Sequence, residues 1–146
     1  MARAQCVIHR GNRLLLMRAI HELQGYEFWH LPGGAVEEGE TPEDAAIREL
    51  KEECMVNGTV IREINTHRGA TAQEDCHTFL VDIGEDEPRL GYDPEYETPL
   101  LIGVKWLMLS EVSERDRAFL WAAGLLGIDE FASELLSWSD DISYPQ

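Results

Sequence analysis

The sequence predicts an α/β fold in which a mixed β-sheet is covered by helices. Short apolar runs rich in β-branched residues recur up to residue 109, and one long helical pattern interrupts them at residues 42–54. Two further helical patterns close the chain, so strands and helices are expected to pack as layers around a core. The 146 residues have the usual length of one domain, and we expect a single domain over residues 1–146.

Charge and composition exclude several classes of partner. The chain has 28 acidic and 12 basic side chains and a formal charge of −16, which repels phosphate backbones and membrane surfaces. We therefore expect no long nucleic acid and no membrane as partners. No stretch approaches the roughly 18 apolar residues of a membrane helix. The cysteines Cys6, Cys54 and Cys76 are odd in number and far apart, which favours a reducing, cytoplasmic location.

The N-terminal segment predicts a pair of strands. The runs "AQCVIH" and "RLLLMRA" flank Gly11 and Asn12, which tolerate positive φ, so a β-hairpin is expected. The next polar and aromatic residues predict a surface loop that leads into a short extended piece at "FWHL". Pro32, Gly33 and Gly34 then predict a turn.

A helix is predicted from Pro42 to about Cys54. Thr41 can cap its N-terminus, Pro42 suits the first helical position, and Asp44 lies where a capping box places an acid.

Strands and then helices are predicted beyond the central helix. The runs "TVIREINTH", "CHTFLVDI" and "VKWLML" are rich in β-branched and aromatic residues and predict three strands. The segments "SEVSERDRAFLWAAGLL" and "IDEFASELLSWS" carry apolar residues at helical spacing and predict two helices. The tail "DDISYPQ" is expected to fray.

Three carboxylates share one face of the central helix. Each residue advances by about 100° around a helix, so Glu49, Glu52 and Glu53, at i, i+3 and i+4, fall within one arc. Like charges at this spacing destabilise a helix unless a cation neutralises them. Oxygen ligands without a nearby His or Cys pattern select Mg²⁺ or Mn²⁺ over Zn²⁺. The pattern therefore predicts a divalent metal site.

A solvated helix face is the alternative interpretation, because acidic runs on surface helices are common. Two neighbouring features favour the metal site. Glu40 before the helix and Arg48 within it can form an ion pair that joins loop to helix. Gly33 and Gly34 let backbone approach the glutamate face closely.

The segment "GAVEEGETPEDAAIRELKEECMV" resembles the Nudix box, G-x5-E-x7-R-E-U-x-E-E-x-G-U, in which U is aliphatic. The residues in register are Gly34, Glu40, Arg48, Glu49, Leu50, Glu52, Glu53 and Val56. Met55 stands where the family has a glycine, which ordinarily ends the helix in a left-handed turn. We expect Asn57 and Gly58 to take over that turn and the helix to run slightly longer. The resemblance implies a Nudix-like α/β/α sandwich.

The resemblance also implies an activity, the hydrolysis of a nucleoside diphosphate linked to another moiety. It assigns Mg²⁺, with Mn²⁺ as a substitute, to Glu49, Glu52, Glu53 and the Gly33 carbonyl. Glu52 is the first candidate for the general base and Glu49 the second.

Three further residues of the box receive roles by this resemblance. Arg48 belongs to the predicted catalytic set and is expected to brace Glu40 and the glutamates rather than touch phosphate. Gly34 and Glu40 are the predicted substrate-binding residues.

Acidic and aromatic residues outside the box are weaker candidates. Glu95 and Glu97 lie in the loop before "VKWLML", where related enzymes often place another acid, and solvated loop acids are the equal alternative. Tyr26, Phe28 and Trp29 precede the glycines and can stack on a base, although such aromatics are more often core. Trp106 is interpreted with the same caution.

Histidines receive mostly structural interpretations. His67, His77 and Cys76 have no metal-ligand spacing to one another and are interpreted as structural. His30, just before the Pro-Gly-Gly segment, is a candidate phosphate contact.

The substrate class is narrowed by motifs that the chain lacks. ADP-ribose enzymes of the family carry a proline shortly beyond the box, which "HRGATAQED" lacks, and the extra motifs of the NADH and coenzyme A subfamilies are missing. The expected substrate is a nucleoside triphosphate or similar small nucleotide, with pyrophosphate or phosphate leaving. The alternatives are a dinucleoside polyphosphate or nucleotide-sugar hydrolase, or a non-catalytic nucleotide-binding module.

A homodimer is the expected oligomer if the chain follows the resemblance. Trp121 and Trp138 in the C-terminal helices are candidate interface residues, with a core position as the equal alternative.

Overall fold

A computed structural model of the chain describes residues 2–68, 75–91 and 101–137. The strands are β1 (Arg3–Val7), β2 (His9–Arg10), β3 (Arg13–Ile20), β4 (Glu27–His30), β5 (Gly33–Ala35), β6 (Thr59–Arg68), β7 (Asp75–Asp82) and β8 (Leu101–Met108). The helices are α1 (Pro42–Cys54), α2 (Glu114–Ala122) and α3 (Asp129–Leu135), with short 3₁₀ turns at Leu109–Glu111 and Leu125–Gly127. No helix in these ranges is long and apolar enough to cross a membrane.

The strands form two four-stranded sheets. One sheet is mixed and has the order β5-β1-β7-β6, in which β1 and β7 run parallel. In the other, β3 pairs antiparallel with β2, β4 and β8. The predicted strands and the mixed sheet are confirmed, while their division into two sheets depends on pairings between distant segments.

The predicted N-terminal hairpin is confirmed only at its tip. Gly11, with φ of +62°, turns the chain between β2 and β3. The longer part of the first run forms β1, which leaves this sheet and pairs with β5 and β7. The prediction that all of "AQCVIH" pairs with "RLLLMRA" is therefore wrong, because an apolar run shows that a strand is buried but not which neighbour it pairs with.

Gly33 and Gly34 form a strand, so the turn predicted at Pro32, Gly33 and Gly34 is wrong. Both glycines lie in β5, antiparallel to β1. A Cβ on Gly33 would stand 2.3 Å from the carbonyl oxygen of Ala4, and one on Gly34 would stand 2.5 Å from Cδ of Glu49. These positions need glycine for close packing rather than for a turn.

Two apolar clusters cover opposite faces of the strand layer. Alternation along β3 sends Leu15 and Met17 to one cluster and Leu14 and Leu16 to the other. Helix α1 contributes its buried face to the first cluster through Ala45, Ala46, Leu50 and Cys54. Helices α2 and α3 contribute Leu120 and Phe131 to the second. This arrangement is the predicted α/β/α sandwich.

Helix α1 begins as predicted but ends differently. Thr41 Oγ1 accepts a hydrogen bond from the Asp44 N–H at 3.1 Å, with Pro42 in the first turn. The helix ends at Cys54, and Met55 itself adopts the left-handed conformation, with φ of +58°. The expectation that Asn57 and Gly58 take over this turn and lengthen the helix is therefore wrong. The backbone N–H groups of Arg89 and Gly91 donate to carbonyls of the last turn and hold this end in place.

Candidate active site

Two glutamates of helix α1 contact strand β5. Glu53 Oε2 accepts a hydrogen bond from the Gly33 N–H at 3.3 Å. The Glu49 carboxylate lies so close to Gly34 that a Cβ there would stand 2.5 Å from its Oε1. The close approach expected from the two glycines is confirmed, and it follows from the packing of α1 on β1 and β5.

Arg48 joins the loop before the helix to the glutamate face. Its Nε and Nη2 donate to the two carboxylate oxygens of Glu40 at 2.8 and 3.0 Å, which is a bidentate pair. Its Nη1 contacts Glu49 Oε1 at 3.0 Å and Glu52 Oε2 at 3.4 Å. Nη2 also donates to the carbonyl of Ala35 at 3.0 Å. The predicted ion pair is confirmed, and it ties helix, loop and strand together.

Ionisation of the acidic cluster depends on these contacts. The Arg48 guanidinium holds the pKa of the Glu40 carboxyl below its ordinary value, and the partner carboxylates raise the pKa of Arg48. Burial, and then the charge of Glu49, raise the pKa of the Glu53 carboxyl to about 9. The Gly33 N–H and the charge of Arg3 offset this rise in part. Glu53 is thus a carboxyl whose negative charge lacks sufficient compensation.

The donor set fits a hard divalent cation, although the glutamates do not yet surround one. Within residues 2–68, 75–91 and 101–137, no three His, Cys, Asp or Glu side chains are arranged to hold a metal ion. Arg48 bridges Glu49 and Glu52, while Glu53 turns towards Gly33. All the available donors are oxygens, which suit Mg²⁺ or Mn²⁺, and an added cation would balance the Glu53 charge. A metal-ligand role for Glu52, which is 48% exposed, would require its side chain to turn away from Arg48.

A pocket of about 380 Å³ adjoins Gly33 and Gly34. Its walls come from both sheets and from helix α2, and its lining includes Arg3, Gln5 and Phe119. The sequence did not identify any of these three residues. Phe119 depends on the packing of α2 against β4, and Arg3 and Gln5 depend on the pairing of β1 with β5 and β7. That pairing brings the N-terminus beside the glycines.

The predicted aromatic residues have different environments. Phe28 lines the pocket. Trp29 packs on the apolar cluster of α2 and α3, and its backbone N–H donates to the buried Asp116. Tyr26 stacks on His21 with ring centroids 4.7 Å apart. Trp106 packs against the apolar cluster under α1, as expected of a core residue.

His30 also lines the pocket. Its Nδ1 donates to the carbonyl of Leu31 at 2.7 Å, and burial lowers its pKa. A neutral imidazole held by its own backbone is a weaker phosphate contact than the sequence predicts.

The other predicted candidates lie away from the glutamates or outside the residues that the structure describes. His77 contacts Glu63, with Nδ1 3.0 Å from Oε1, and His67 lies 3.5 Å from the Asn65 amide. Cys76 is buried and borders the pocket. The candidates that fall outside the described residues are Glu95, Glu97 and Trp138.

Comparison with known proteins decides the family. A model of the NUDIX domain matches residues 1–126. The chain belongs to the Nudix hydrolase family. The match covers every residue of the acidic cluster and the walls of the pocket.

Curated relatives of this Nudix chain match over shorter stretches. The chain is 31% identical over 77 residues to "Putative 8-oxo-dGTP diphosphatase" of Bacillus subtilis (strain 168), which covers 53% of this chain and 49% of that protein. It is 46% identical over 39 residues to 8-oxo-dGTP diphosphatase of Proteus vulgaris, which covers 27% of this chain and 35% of that protein. The matches thus span about half or less of each relative.

Solved structures share the fold over more of the chain. A MutT NUDIX hydrolase from Burkholderia pseudomallei has a TM-score of 0.65 at 22% identity, over 82% of this chain and 95% of that one. A C. elegans Ap4A hydrolase binary complex has a TM-score of 0.63 at 23% identity, over 93% and 99%. Likeness at these identities establishes the α/β/α fold.

Proposed function

We propose that this Nudix protein is a pyrophosphohydrolase that uses Mg²⁺, or Mn²⁺ in its place, to hydrolyse a small nucleoside triphosphate. The observation that carries this proposal is the contact of Glu49 and Glu53 with the Gly33 and Gly34 backbone, at the edge of the 380 Å³ pocket. When the phosphate chain of a substrate binds at this edge, the pocket is available to bind its nucleoside. We propose that residues 1–146 act as one domain.

The proposed metal ligands are Glu49, Glu52, Glu53 and the Gly33 carbonyl. When bound, the ion would neutralise charge on the phosphates and lower the pKa of a water molecule. The three glutamates and the Gly33 carbonyl would hold it. Without a cation, the net charge of −16 repels the substrate.

Glu52 is the proposed general base. It is the most exposed of the three glutamates, so its carboxylate is the most accessible to water. Its carboxylate takes a proton from the attacking water while the new oxygen–phosphorus bond forms and a bridging oxygen–phosphorus bond breaks. The leaving group, pyrophosphate or phosphate, carries away that electron pair. Glu49 is the second candidate for this role.

Arg48 is proposed as a positioning residue. Its contacts with Glu40, Glu49 and Glu52 fix the orientation of the glutamate face before a metal binds. Glu40 remains a predicted substrate-binding residue, although its carboxylate is held by Arg48. Gly34 is proposed to admit the substrate phosphates, because any side chain there would strike Glu49.

An 8-oxo purine deoxynucleoside triphosphate is the specific substrate that we propose. The Bacillus subtilis relative is named "Putative 8-oxo-dGTP diphosphatase" and the Proteus vulgaris relative 8-oxo-dGTP diphosphatase, which supports a deoxynucleoside triphosphate over a dinucleotide. Release of pyrophosphate and a nucleoside monophosphate then follows. A dinucleoside polyphosphate, a nucleotide sugar and binding without turnover remain outcomes that the experiment distinguishes.

A nucleotide panel assayed with Mg²⁺, with Mn²⁺ and with EDTA tests the proposal. We expect turnover of a triphosphate only when a divalent cation is present. Glu52→Gln should lower kcat by about 10² to 10⁴ fold. Glu43→Gln is the matched control, since Glu43 is an exposed acid of the same helix outside the cluster, and it should retain full activity.

Three results would contradict parts of this proposal. Turnover that EDTA does not affect argues against the metal. Equal losses in Glu52→Gln and Glu43→Gln argue against Glu52 as the base. Nucleotide binding without any turnover identifies a binding module instead of an enzyme.

A further inference from the structure

One wall of the pocket is formed by two polar side chains of strand β1. Arg3 and Gln5 both line the pocket, and residues at i and i+2 of a strand lie on the same face, about 7 Å apart. Ala4 between them is buried in the apolar cluster on the opposite face, under α1. The strand therefore presents a guanidinium and an amide side by side to whatever occupies the pocket.

The orientation of the Gln5 amide is fixed by Thr78. Gln5 Nε2 donates to Thr78 Oγ1 at 2.9 Å, and the two residues are in register across the parallel pair of β1 and β7. Thr78 is completely buried, so water does not compete for this hydrogen bond. This bond uses one of the two N–H groups of Nε2, so Oε1 is left as an acceptor for a ligand beside the second N–H. In the described ranges no donor reaches Oε1, and it is not sealed from solvent.

Arg3 supplies donors next to this acceptor. A guanidinium carries five N–H groups and no acceptor. The Arg3 guanidinium makes no hydrogen bond or ion pair within the part of the chain that the structure describes. Its charge offsets part of the rise that burial causes in the pKa of Glu53, and it adds to the fall that burial causes in the pKa of His30. In a chain of net charge −16, a guanidinium at a pocket wall without a carboxylate partner is available to a ligand.

Two phenylalanines from the second sheet and helix α2 line the same pocket. Phe28 of β4 lies beside His30, with ring centroids 5.4 Å apart. Phe119 of α2 is 70% exposed, so its ring is accessible to a ligand in the pocket. Flat aromatic rings together with a few fixed polar atoms are typical of sites that bind a planar heterocycle.

We propose that Gln5 determines base specificity by accepting a hydrogen bond at Oε1 from a ring N–H of a 6-oxopurine, while Arg3 donates to the neighbouring carbonyl oxygen. Adenine is disfavoured at this wall because its 6-amino group is a donor, and the guanidinium of Arg3 has no acceptor to offer it. An acceptor beside a guanidinium instead matches an N–H beside a C=O. The inference rests on the proposed function for the phosphate chemistry, but base binding itself does not require turnover.

Binding of nucleoside monophosphates measures the base preference apart from catalysis. Calorimetry in Mg²⁺ buffer would compare 2′-deoxyguanosine, 2′-deoxyadenosine and unsubstituted purine 2′-deoxyriboside monophosphates. We expect the guanine ligand to bind at least tenfold more tightly than the other two. Gln5→Leu should lower the ratio of guanine to adenine affinity about tenfold and leave the affinity for the unsubstituted purine unchanged.

Two further variants separate recognition from folding. Gln5→Glu keeps an acceptor towards the ligand and should retain the ratio of guanine to adenine affinity, even if the added charge weakens both. Thr78→Val releases the amide and should reduce the ratio. Gln24→Leu, at an exposed loop position, is the matched control and should change nothing.

The outcomes distinguish this inference from the proposed function. Equal affinity for guanine and adenine in the natural chain, or a preference that survives Gln5→Leu, overturns the role of Gln5 even when triphosphates are hydrolysed. A guanine preference that depends on Gln5 supports the inference even when no nucleotide is turned over. In that second case only the proposed catalysis fails.

Discussion

The two ends of helix α1 are built in different ways. At the N-terminal end, Thr41 caps the Asp44 N–H, so adjacent residues satisfy the first turn. At the C-terminal end, the Cys54 and Glu53 carbonyls accept from the Arg89 and Gly91 N–H groups at 2.9 and 2.7 Å. The first end is encoded locally, and the second depends on residues that follow much later in the chain.

This difference matters because the acids lie at the second end. Glu52 and Glu53 occupy the last turn of α1, where Met55 follows in the left-handed conformation. A Cβ on Gly91 would stand 1.8 Å from the Glu52 carbonyl oxygen. Segment 89–91 therefore holds the backbone that carries two of the proposed metal ligands, and substitutions at the two ends should have separable effects.

The largest effect is expected from Glu53→Gln in EDTA. The Glu53 pKa is about 9 in the folded protein against an ordinary 4.5. Between these pH values the folded state binds more protons than the unfolded state, so stability falls as the pH rises. Glutamine has no such cost, and we expect its free energy of unfolding near pH 8 to exceed that of the natural chain by on the order of 3 kcal/mol.

Urea denaturation at about pH 5 and pH 8 measures this difference. The difference should shrink to less than about 1 kcal/mol near pH 5, because pH 5 lies only half a unit above the ordinary pKa of 4.5. Glu43→Gln, at the N-terminal end of α1, should follow the natural chain at both pH values. Parallel stabilities of Glu53→Gln and the natural chain would rule out the raised pKa.

Gly91→Ala should give the next largest effect. The new methyl group has no room against the Glu52 carbonyl, and overpacking against backbone costs about 1–3 kcal/mol. Denaturation gives the stability, and the Mg²⁺ concentration for half-maximal activity should rise because the last turn of α1 shifts. Gly103→Ala is the control, since its nearest contact would be an ordinary 3.6 Å. Equal behaviour of the two variants would contradict a role for segment 89–91.

Thr41→Ala should have a smaller effect that is confined to stability. Loss of the cap to the Asp44 N–H costs about 1 kcal/mol, measured by urea denaturation. Thr41→Ser retains the hydroxyl and should recover most of it. The Mg²⁺ dependence should stay unchanged, because this end carries none of the three glutamates proposed as metal ligands. A shift in that dependence would show that the two ends are coupled.

The smallest effect is expected from Met55→Gly, with the opposite sign. A non-glycine residue in the left-handed region is strained by about 1–2 kcal/mol, and part of that gain is lost to the greater freedom of glycine when unfolded. We expect thermal or urea unfolding to show a stabilisation of about 0.5–1 kcal/mol. A destabilised variant would mean that the Met55 side chain, although 55% exposed, makes contacts worth more than the strain.

Local patterns in the sequence were sufficient for helix α1 and its acidic face. The capping residue Thr41, the 3.6-residue period and the i, i+3, i+4 spacing of Glu49, Glu52 and Glu53 act within a few residues of one another. The Arg48 and Glu40 pair was also predictable, because loop and helix are adjacent in the chain. The strands were recognised for the same reason, as their alternation is a local property.

Pairing between distant segments was not predictable from these patterns. Gly33 and Gly34 suggested a turn because glycine is permissive, but their lack of a side chain serves the approach of β1 and Glu49. The same uncertainty concealed the roles of Arg3 and Gln5, which reach the pocket only because β1 joins the mixed sheet. The left-handed turn was expected at Asn57 and Gly58 instead of Met55. The sequence near the helix end gives no sign of the contacts that residues 89–91 make with it.

The amino-acid sequence by itself determined the acidic helix, its first turn, the net negative charge and the resemblance to the Nudix box, because each depends on the identity and spacing of neighbouring residues. Only the tertiary structure decided how β1 pairs, which atoms line the pocket and how the last turn of α1 is held. Each of those features is a contact between segments far apart in the chain. Several pairings of such segments are compatible with the local sequence, and the packing of the whole molecule determines which one forms.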